Sequence, residues 1–456
     1  MFYSALISFT QPLKRVWVHV KPNRRIKLIK LIVLMVLVSI AEVISIGAVL
    51  PFLGVLTNPE LVYQSSYSQP IIHALGVSDP QQLLLPVTII FILATLVSGG
   101  MRIILLWYQI RVSHTIGADL SVDIYRRTLY QPYSVHIARN SSEVVSAILQ
   151  KSNHAVSNVI HPILTIISSI FLLCAILFVL FSVNFLVVLL SVIGFVVIYA
   201  VIMMVTKRTL LRNSAVISLE QNQVIKVLQE GLGGVRDILI DSAQEIYCKA
   251  YRKSDLPLRR SHANIQIIGG VPRFTIEAMA MIMIAVLAFF LVNQSNNVVT
   301  VIPALGVLAV GAQKILPLFQ NIYSSWSLII GGRLPLNDAL NLLEQPIPNY
   351  MEEPLPKSIQ FKNSITISKL SFSYLSHDST VLNDISFVIP KGGCIGIVGS
   401  TGSGKSTLLD ILMGLLHPTK GTLSVDGTYI TKRNSRSWQA HISHVPQVIF
   451  LADSTI

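Results

Sequence analysis

The chain has 456 residues, of which 52% are hydrophobic and only 12% charged, with a formal net charge of +13. Soluble domains carry roughly a quarter charged residues, so this composition excludes an ordinary soluble enzyme and points to a membrane protein. The three cysteines, Cys174, Cys248 and Cys394, are too scattered for a disulfide framework or a metal site, and a reducing compartment suits them.

Residues 1–27 form an N-terminal segment, partly amphipathic and then basic, that runs into a long apolar stretch. That is the pattern of a first membrane span rather than of a cleavable leader. A helix needs about 20 apolar residues to cross a bilayer. Six segments qualify, near 28–56, 86–110, 158–181, 185–206, 266–292 and 299–331, and together they delimit a membrane domain over 28–333. Only Ser182, Val183 and Asn184 separate the third from the fourth, which makes a tight helical hairpin.

The basic residues alternate with the spans. Lys14 to Lys30 precede the first, Arg111 to Lys151 lie between the second and third, and Lys207 to Arg260 lie between the fourth and fifth. Residues 57–85 contain no Lys or Arg, and the turns 182–184 and 293–297 are uncharged. The positive-inside rule then places both termini and the two long loops in the cytoplasm. The positive charge is a topology signal, and nucleic acid is not an expected partner.

The loops 111–157 and 207–263 show helical apolar spacing, so the spans are expected to continue into the cytosol. Pro132 breaks the first, where Asn140 and Glu143 resemble a helix-capping pair. Gly231, Gly233 and Gly234 interrupt the second before Val235–Ile240. In the external segment, Leu61, Tyr63, Ile71, Ile72 and Leu75 suit a short interfacial helix ended by Gly76.

After Arg333 a proline-marked linker, 334–360, holds a short helix at 336–344. Short β-type runs follow in 361–456: Ile365–Ile367, Leu370–Tyr374, Ile385–Ile389 and Cys394–Val398, the last reading as a buried strand. It leads into Gly399-Ser400-Thr401-Gly402-Ser403-Gly404-Lys405-Ser406-Thr407, and then into Leu408, Leu409, Ile411 and Leu412 at helical spacing. A strand, a glycine-rich turn and a helix in that order make a phosphate-binding loop. Backbone N–H groups of the turn form a nest for anionic oxygens, and the helix N-terminus adds partial positive charge. Lys405 is placed for the β and γ phosphates and the Ser406 hydroxyl for Mg²⁺.

With six spans, a linker and this loop in order, the chain resembles an ABC exporter half-transporter over nearly its whole length. The implied fold is an α-helical membrane domain followed by a partial α/β P-loop ATPase domain. Ser371-Phe372-Ser373-Tyr374 matches the family's aromatic loop, which implies that Tyr374 stacks on the adenine of ATP. His444-Val445-Pro446-Gln447 matches its Q-loop, which implies that Gln447 contacts Mg²⁺ and the attacking water. The resemblance also implies coupling helices within 127–145 and 230–247, a homodimer, and an inner-membrane setting with the nucleotide domain cytoplasmic.

No signature motif, acidic Walker B strand or switch histidine precedes Ile456. The resemblance therefore implies a chain that binds ATP without hydrolysing it alone, with an exposed sheet edge. It reads as a fragment or interrupted frame of a working exporter.

Charged residues inside spans are costly, and here they are Glu42, Arg102, Arg273, Glu277 and Lys314. Arg102, Arg273 and Lys314 are candidates to line an inward-facing cavity and hold a diphosphate or other anionic headgroup. The alternative is that Arg273 pairs with Glu277 one turn on, while Arg102 and Lys314 snorkel or face water. Tyr130-Gln131-Pro132-Tyr133, with His136 and Asn140-Ser141-Ser142-Glu143, is similar to the lipid-linked oligosaccharide and polysaccharide flippase branch. That similarity implies an anionic lipid cargo, with export of drugs, peptides or other lipids, or a non-catalytic nucleotide-binding role, as alternatives.

Overall fold

The computed structural model describes residues 14–57, 59–64, 79–183, 185–294, 298–348, 354, 356–374 and 380–446. The chain divides into two compact units, one of residues 1–126 and 142–345, the other of residues 127–141 and 346–456.

The first unit is helical. Helix α1 (Pro22–Gly47) continues through α2 (Val49–Thr57) and α3 (Pro59–Tyr63), and α4 (Leu84–Leu129) follows a 3-10 turn, Pro80–Leu83, whose N–H groups are capped by Asp79. The chain next climbs from Ser141 through two π-helical turns, Ala147–Lys151 and Val156–Ile160, into α5 (His161–Val183). Then come α6 (Phe185–Gly233), α7 (Val235–Ile240), α8 (Gln244–Gln294), α9 (Val298–Gly331) and α10 (Arg333–Leu343). Among the described residues, four stretches are long and apolar enough to cross a membrane: Pro22–Thr57, Pro80–Leu129, Ser141–Ser182 and Val192–Gly233. Helices α8 and α9 cover the segments expected as fifth and sixth spans.

Each long helix buries one stripe. Leu31, Met35 and Val38 on α1, Leu172, Ile176 and Leu180 on α5, Phe195 and Tyr199 on α6, and Phe319 and Tyr323 on α9 form one core at three- and four-residue spacing. The opposite faces stay apolar and exposed, as at Leu85, Ile89, Leu93 and Leu96 on α4, which is what lipid-facing helix requires. A second core joins Ile116, Leu120 and Ile124 of α4 to Val156 and Val159 and to Leu336, Leu340 and Leu343 of α10. Here Gly117 permits the close approach, since a Cβ on it would lie 2.0 Å from Val156 Cγ2. Helix α10, read from the sequence as part of a linker, thus packs within the membrane unit.

The glycine break behaves as the sequence suggests, with α6 ending at Gly233 and α7 restarting after Gly234. Of the external segment, α3 lies around Leu61 and Tyr63, while Ile71, Ile72, Leu75 and Gly76 fall outside the described residues.

The second unit holds a four-stranded antiparallel sheet in the order β2-β1-β3-β4, with β1 (Ser364–Phe372), β2 (Leu382–Pro390), β3 (Lys420–Val425) and β4 (Thr428–Tyr429). The two runs expected over 365–374 are one strand, β1, bent where Lys369 takes φ 47° and the register shifts. Helices α11 (Lys405–Leu412) and α12 (Ser435–Gln439) pack Leu408, Ile411 and Trp438 against Ile367, Leu370 and Leu423.

One expectation is overturned here. Residues 393–400 are irregular rather than a buried strand, and Ile395 and Val398 are 45% and 95% exposed. A strand exists only through a ladder to a neighbour. The sheet β2-β1-β3-β4 gives this segment none among the described residues.

Candidate nucleotide site and membrane charge cluster

The loop between Val398 and α11 is shaped by left-handed glycines. Gly402 and Gly404 have φ of 83° and 87°, a region that β-carbon sterics close to most residues. At Gly404 a Cβ would also come within 2.7 Å of Leu382 Cδ2, so the turn lies directly on the start of β2. Lys405 opens α11, and its ammonium folds back to donate to the carbonyls of Gly399 and Ser400, both at 2.7 Å. Ser403 N–H donates to Ser400 O at 3.2 Å and closes the turn. The result is a glycine-rich backbone loop with a cation against it and a helix N-terminus at its end, the elements from which a phosphate site is made. Ser406 is exposed in the first turn of α11 and is the hydroxyl on offer to Mg²⁺. Gln447 lies outside the described residues.

Tyr374 is held beside this loop. It meets Phe372 edge-on at 5.1 Å, and its phenol oxygen is 2.9 Å from Thr407 Oγ1. The hydrogen bond fixes one end of a ring that is 44% exposed. Sequence reasoning paired Tyr374 with the loop through the family pattern; its contact with Thr407, 33 residues away, had no local signal.

The short helix Tyr133–Ala138 belongs to this same unit. Gln131 Nε2 donates to Pro346 O at 3.0 Å, and a groove of about 790 Å³ runs between residues 131–138 and Tyr374, Gly414, His417 and Gln439. Burial, then Asp410 and Tyr374, push the Tyr133 phenol above its usual range, and burial raises Asp410 despite His444. The segment 127–145, where the resemblance implies a coupling helix, thus holds a short helix that groups with the nucleotide unit.

The candidate cations separate into two places. Arg102 and Lys314 converge on Glu42, which is fully buried: Lys314 Nζ donates to Glu42 Oε1 at 2.5 Å and Arg102 Nη2 lies 2.8 Å from the same oxygen. Ser98 Oγ donates to Glu42 Oε2 at 2.5 Å. Arg273 instead lines a pocket of about 430 Å³ with Tyr199, Glu277, Gln313, Gln320 and Asn321. Gln320 is fixed there by bonds to Gly269 O at 2.8 Å and from Tyr199 at 3.3 Å.

The ABC transporter transmembrane region model matches residues 27–308, well over half of the chain, and the ABC transporter model matches residues 382–456. The chain belongs to the ABC transporter family. The ABC transporter domain at 382–456 implies ATP binding.

Among curated ABC transporters, the chain is 23% identical over 348 residues to the ATP-dependent lipid A-core flippase of Burkholderia thailandensis, covering 76% of this chain and 58% of that one. It is 24% identical over 455 residues to the protein of the same name from Pseudomonas putida, covering 97% and 71%. The chain thus spans little more than half the length of the first of these relatives. A solved bacterial Atm1-family ABC exporter with ATP bound aligns with a TM-score of 0.67 and 18% identity, over 93% of this chain and 71% of that one. That likeness establishes the exporter fold.

Proposed function

We propose that this chain is the membrane and nucleotide-binding part of an ATP-driven exporter that moves an anionic lipid between leaflets of a bacterial inner membrane. The working form is a homodimer with its nucleotide domains in the cytoplasm. One observation carries the cargo reading: two cations, Arg102 and Lys314, share a single carboxylate within the membrane helices, leaving an excess positive charge. A bilayer interior disfavours such an excess unless an anion visits it. Relatives named lipid A-core flippases support a lipid cargo, and the Tyr130–Glu143 segment favours a polyprenyl-diphosphate carrier bearing an oligosaccharide.

In this reading Gly399–Thr407 holds the phosphates of ATP, Tyr374 stacks on adenine, and Ser406 with Gln447 ligates Mg²⁺. Bound ATP supplies the energy, and Tyr133–Ala138 carries the nucleotide unit's state toward the helices. Arg273, in its polar pocket, contacts the headgroup.

The test is binding of a fluorescent polyprenyl diphosphate to the full chain in neutral nanodiscs. Arg102→Ala and Lys314→Ala each weaken it about tenfold, the loss expected for a charged hydrogen bond, and Arg273→Ala weakens it less. Equal binding of a neutral polyprenol would overturn the anionic cargo, and tight binding of apolar drugs alone would favour a drug exporter.

A further inference from the structure

The sequence offers Arg102 and Lys314 as binding groups and says nothing of what they do between cargo molecules. In the structure neither is idle. Glu42 sits on α1, five residues before its last residue Gly47, in a helix end without basic residues, and its side chain is 1% exposed. Its carboxylate gathers three donors from two other helices: Ser98 from α4, Arg102 one turn further along α4, and Lys314 from α9. The cations are less enclosed than the carboxylate, at 39% and 26% exposure. Parts of both cations are thus open at the surface of the cluster, while Glu42 is enclosed.

The cluster is also short of acceptors. One carboxylate cannot satisfy a guanidinium and an ammonium together. Arg102 Nη2 stands 2.8 Å from Glu42, yet neither it nor Nε, both buried, makes a hydrogen bond of good geometry. A planar guanidinium with under-satisfied N–H groups suits the paired oxygens of a phosphate or carboxylate.

We infer that Glu42 is a built-in competitor of the cargo. It holds Arg102 and Lys314 in ion pairs while no cargo is present, and it yields at least one of them when a phosphate- or diphosphate-bearing lipid enters. Glu42 is therefore a specificity-determining residue. A neutral lipid cannot replace the carboxylate, so only anionic cargo opens the cluster, and the returning carboxylate helps to expel that cargo. The inference rests on the anionic-lipid reading above.

The experiment uses the full chain in neutral nanodiscs, with a fluorescent polyprenyl diphosphate and, separately, inorganic diphosphate as probes. Glu42→Gln should tighten binding about tenfold, within the range of ordinary coupling between sites, and slow dissociation, with binding of a neutral polyprenol unmoved. Tightening of the lipid alone assigns the anion to a headgroup held by its chains. Tightening of both probes assigns the cluster to phosphate as such. Either result supports the competitor role.

Unchanged or weaker diphosphate binding by Glu42→Gln overturns it. Two uncompensated cations destabilise a membrane helix bundle, so the double variant Glu42→Gln with Lys314→Gln restores the original net charge. It should bind at least as tightly as the parent chain, and weaker binding overturns the inference. If the parent chain itself binds no diphosphate lipid, the cargo reading fails first and takes this inference with it.

Discussion

Lys405 reaches across its own loop to two carbonyls at 2.7 Å, a position from which its charge dominates the cradle. Replacing it removes a charge-assisted contact to phosphate. Lys405→Ala should therefore weaken ATP binding by about 2 kcal/mol, near thirtyfold, as read by a fluorescent ATP analogue. Gly404→Ala acts otherwise. Its φ of 87° and the 2.7 Å approach to Leu382 place the cost in the backbone, so ATP binding and the thermal midpoint of the nucleotide unit should fall together. These loop residues were legible because every requirement is local: glycines, lysine and hydroxyl lie within nine consecutive positions. Glu42 shows the opposite case. Its charge marked it as costly within a span, but its partners Ser98 and Lys314 are 56 and 272 residues away and left no pattern in the sequence.

Elements depend on neighbours, and there the sequence was a partial guide. The membrane helices announced themselves by length and apolar content. Cys394–Val398 has the composition of a strand and forms none, because strand identity resides in a ladder that composition does not encode. Trp438 ties the end of α11 to the sheet, donating from Nε1 to Leu412 O at 2.7 Å and meeting Phe361 edge-on. Trp438→Ala should cost about 3–5 kcal/mol, seen as faster amide exchange across 405–412.

In the membrane unit, Lys151 is 4% exposed and its ammonium meets Asp338 of α10 at 2.6 Å, with Ser218 donating to the same carboxylate. Asp338→Ala strands a buried charge and should lower the thermal midpoint sharply, about 3 kcal/mol. Lys151→Met replaces the charge with apolar volume and should be close to neutral. Equal losses from both would mean that the pair itself supplies the stability.

Acid sensitivity also has an address at this scale. Asp426, in the β3–β4 turn, accepts backbone N–H groups of Lys362, Ser364 and Asn363, which hold its carboxyl below the usual range. A lowered folded value gives stability that is complete above the unfolded value, about pH 4, and is lost as pH falls through the folded one. Asp426→Asn should remove that component of the acid unfolding curve.

At the scale of the whole molecule, orientation is tested by the protein's own thiols. Cys248 is exposed near the start of α8, in a segment whose basic residues predict a cytoplasmic setting under the positive-inside rule. With Cys174 and Cys394 replaced by Ser, Cys248 should react with an impermeant maleimide in inside-out vesicles and not in intact spheroplasts. Val235, Leu239 and Ile240 leave an exposed apolar tip at α7, on a part of the chain outside the expected spans. An exposed apolar patch marks an interaction site, and the proposed homodimer would cover it. Leu239→Glu with Ile240→Glu should reduce the yield of cross-linked dimer in detergent.

The placing of Tyr133–Ala138 in the nucleotide unit bears on how the chain comes to be assembled. The contact from Gln131 to Pro346 spans 215 positions. During synthesis the short helix emerges long before the strands it will meet, and four membrane segments must be inserted in between. Left free, a loop of that length would close slowly and at an entropic cost growing with the logarithm of its length. In the topology that the positive-inside rule predicts, insertion would hold both ends of the intervening chain at one surface and shorten the search. The membrane thus serves as a folding template for a contact made wholly in water, and errors in inserting the middle helices should appear first as a nucleotide unit that lacks its docking helix.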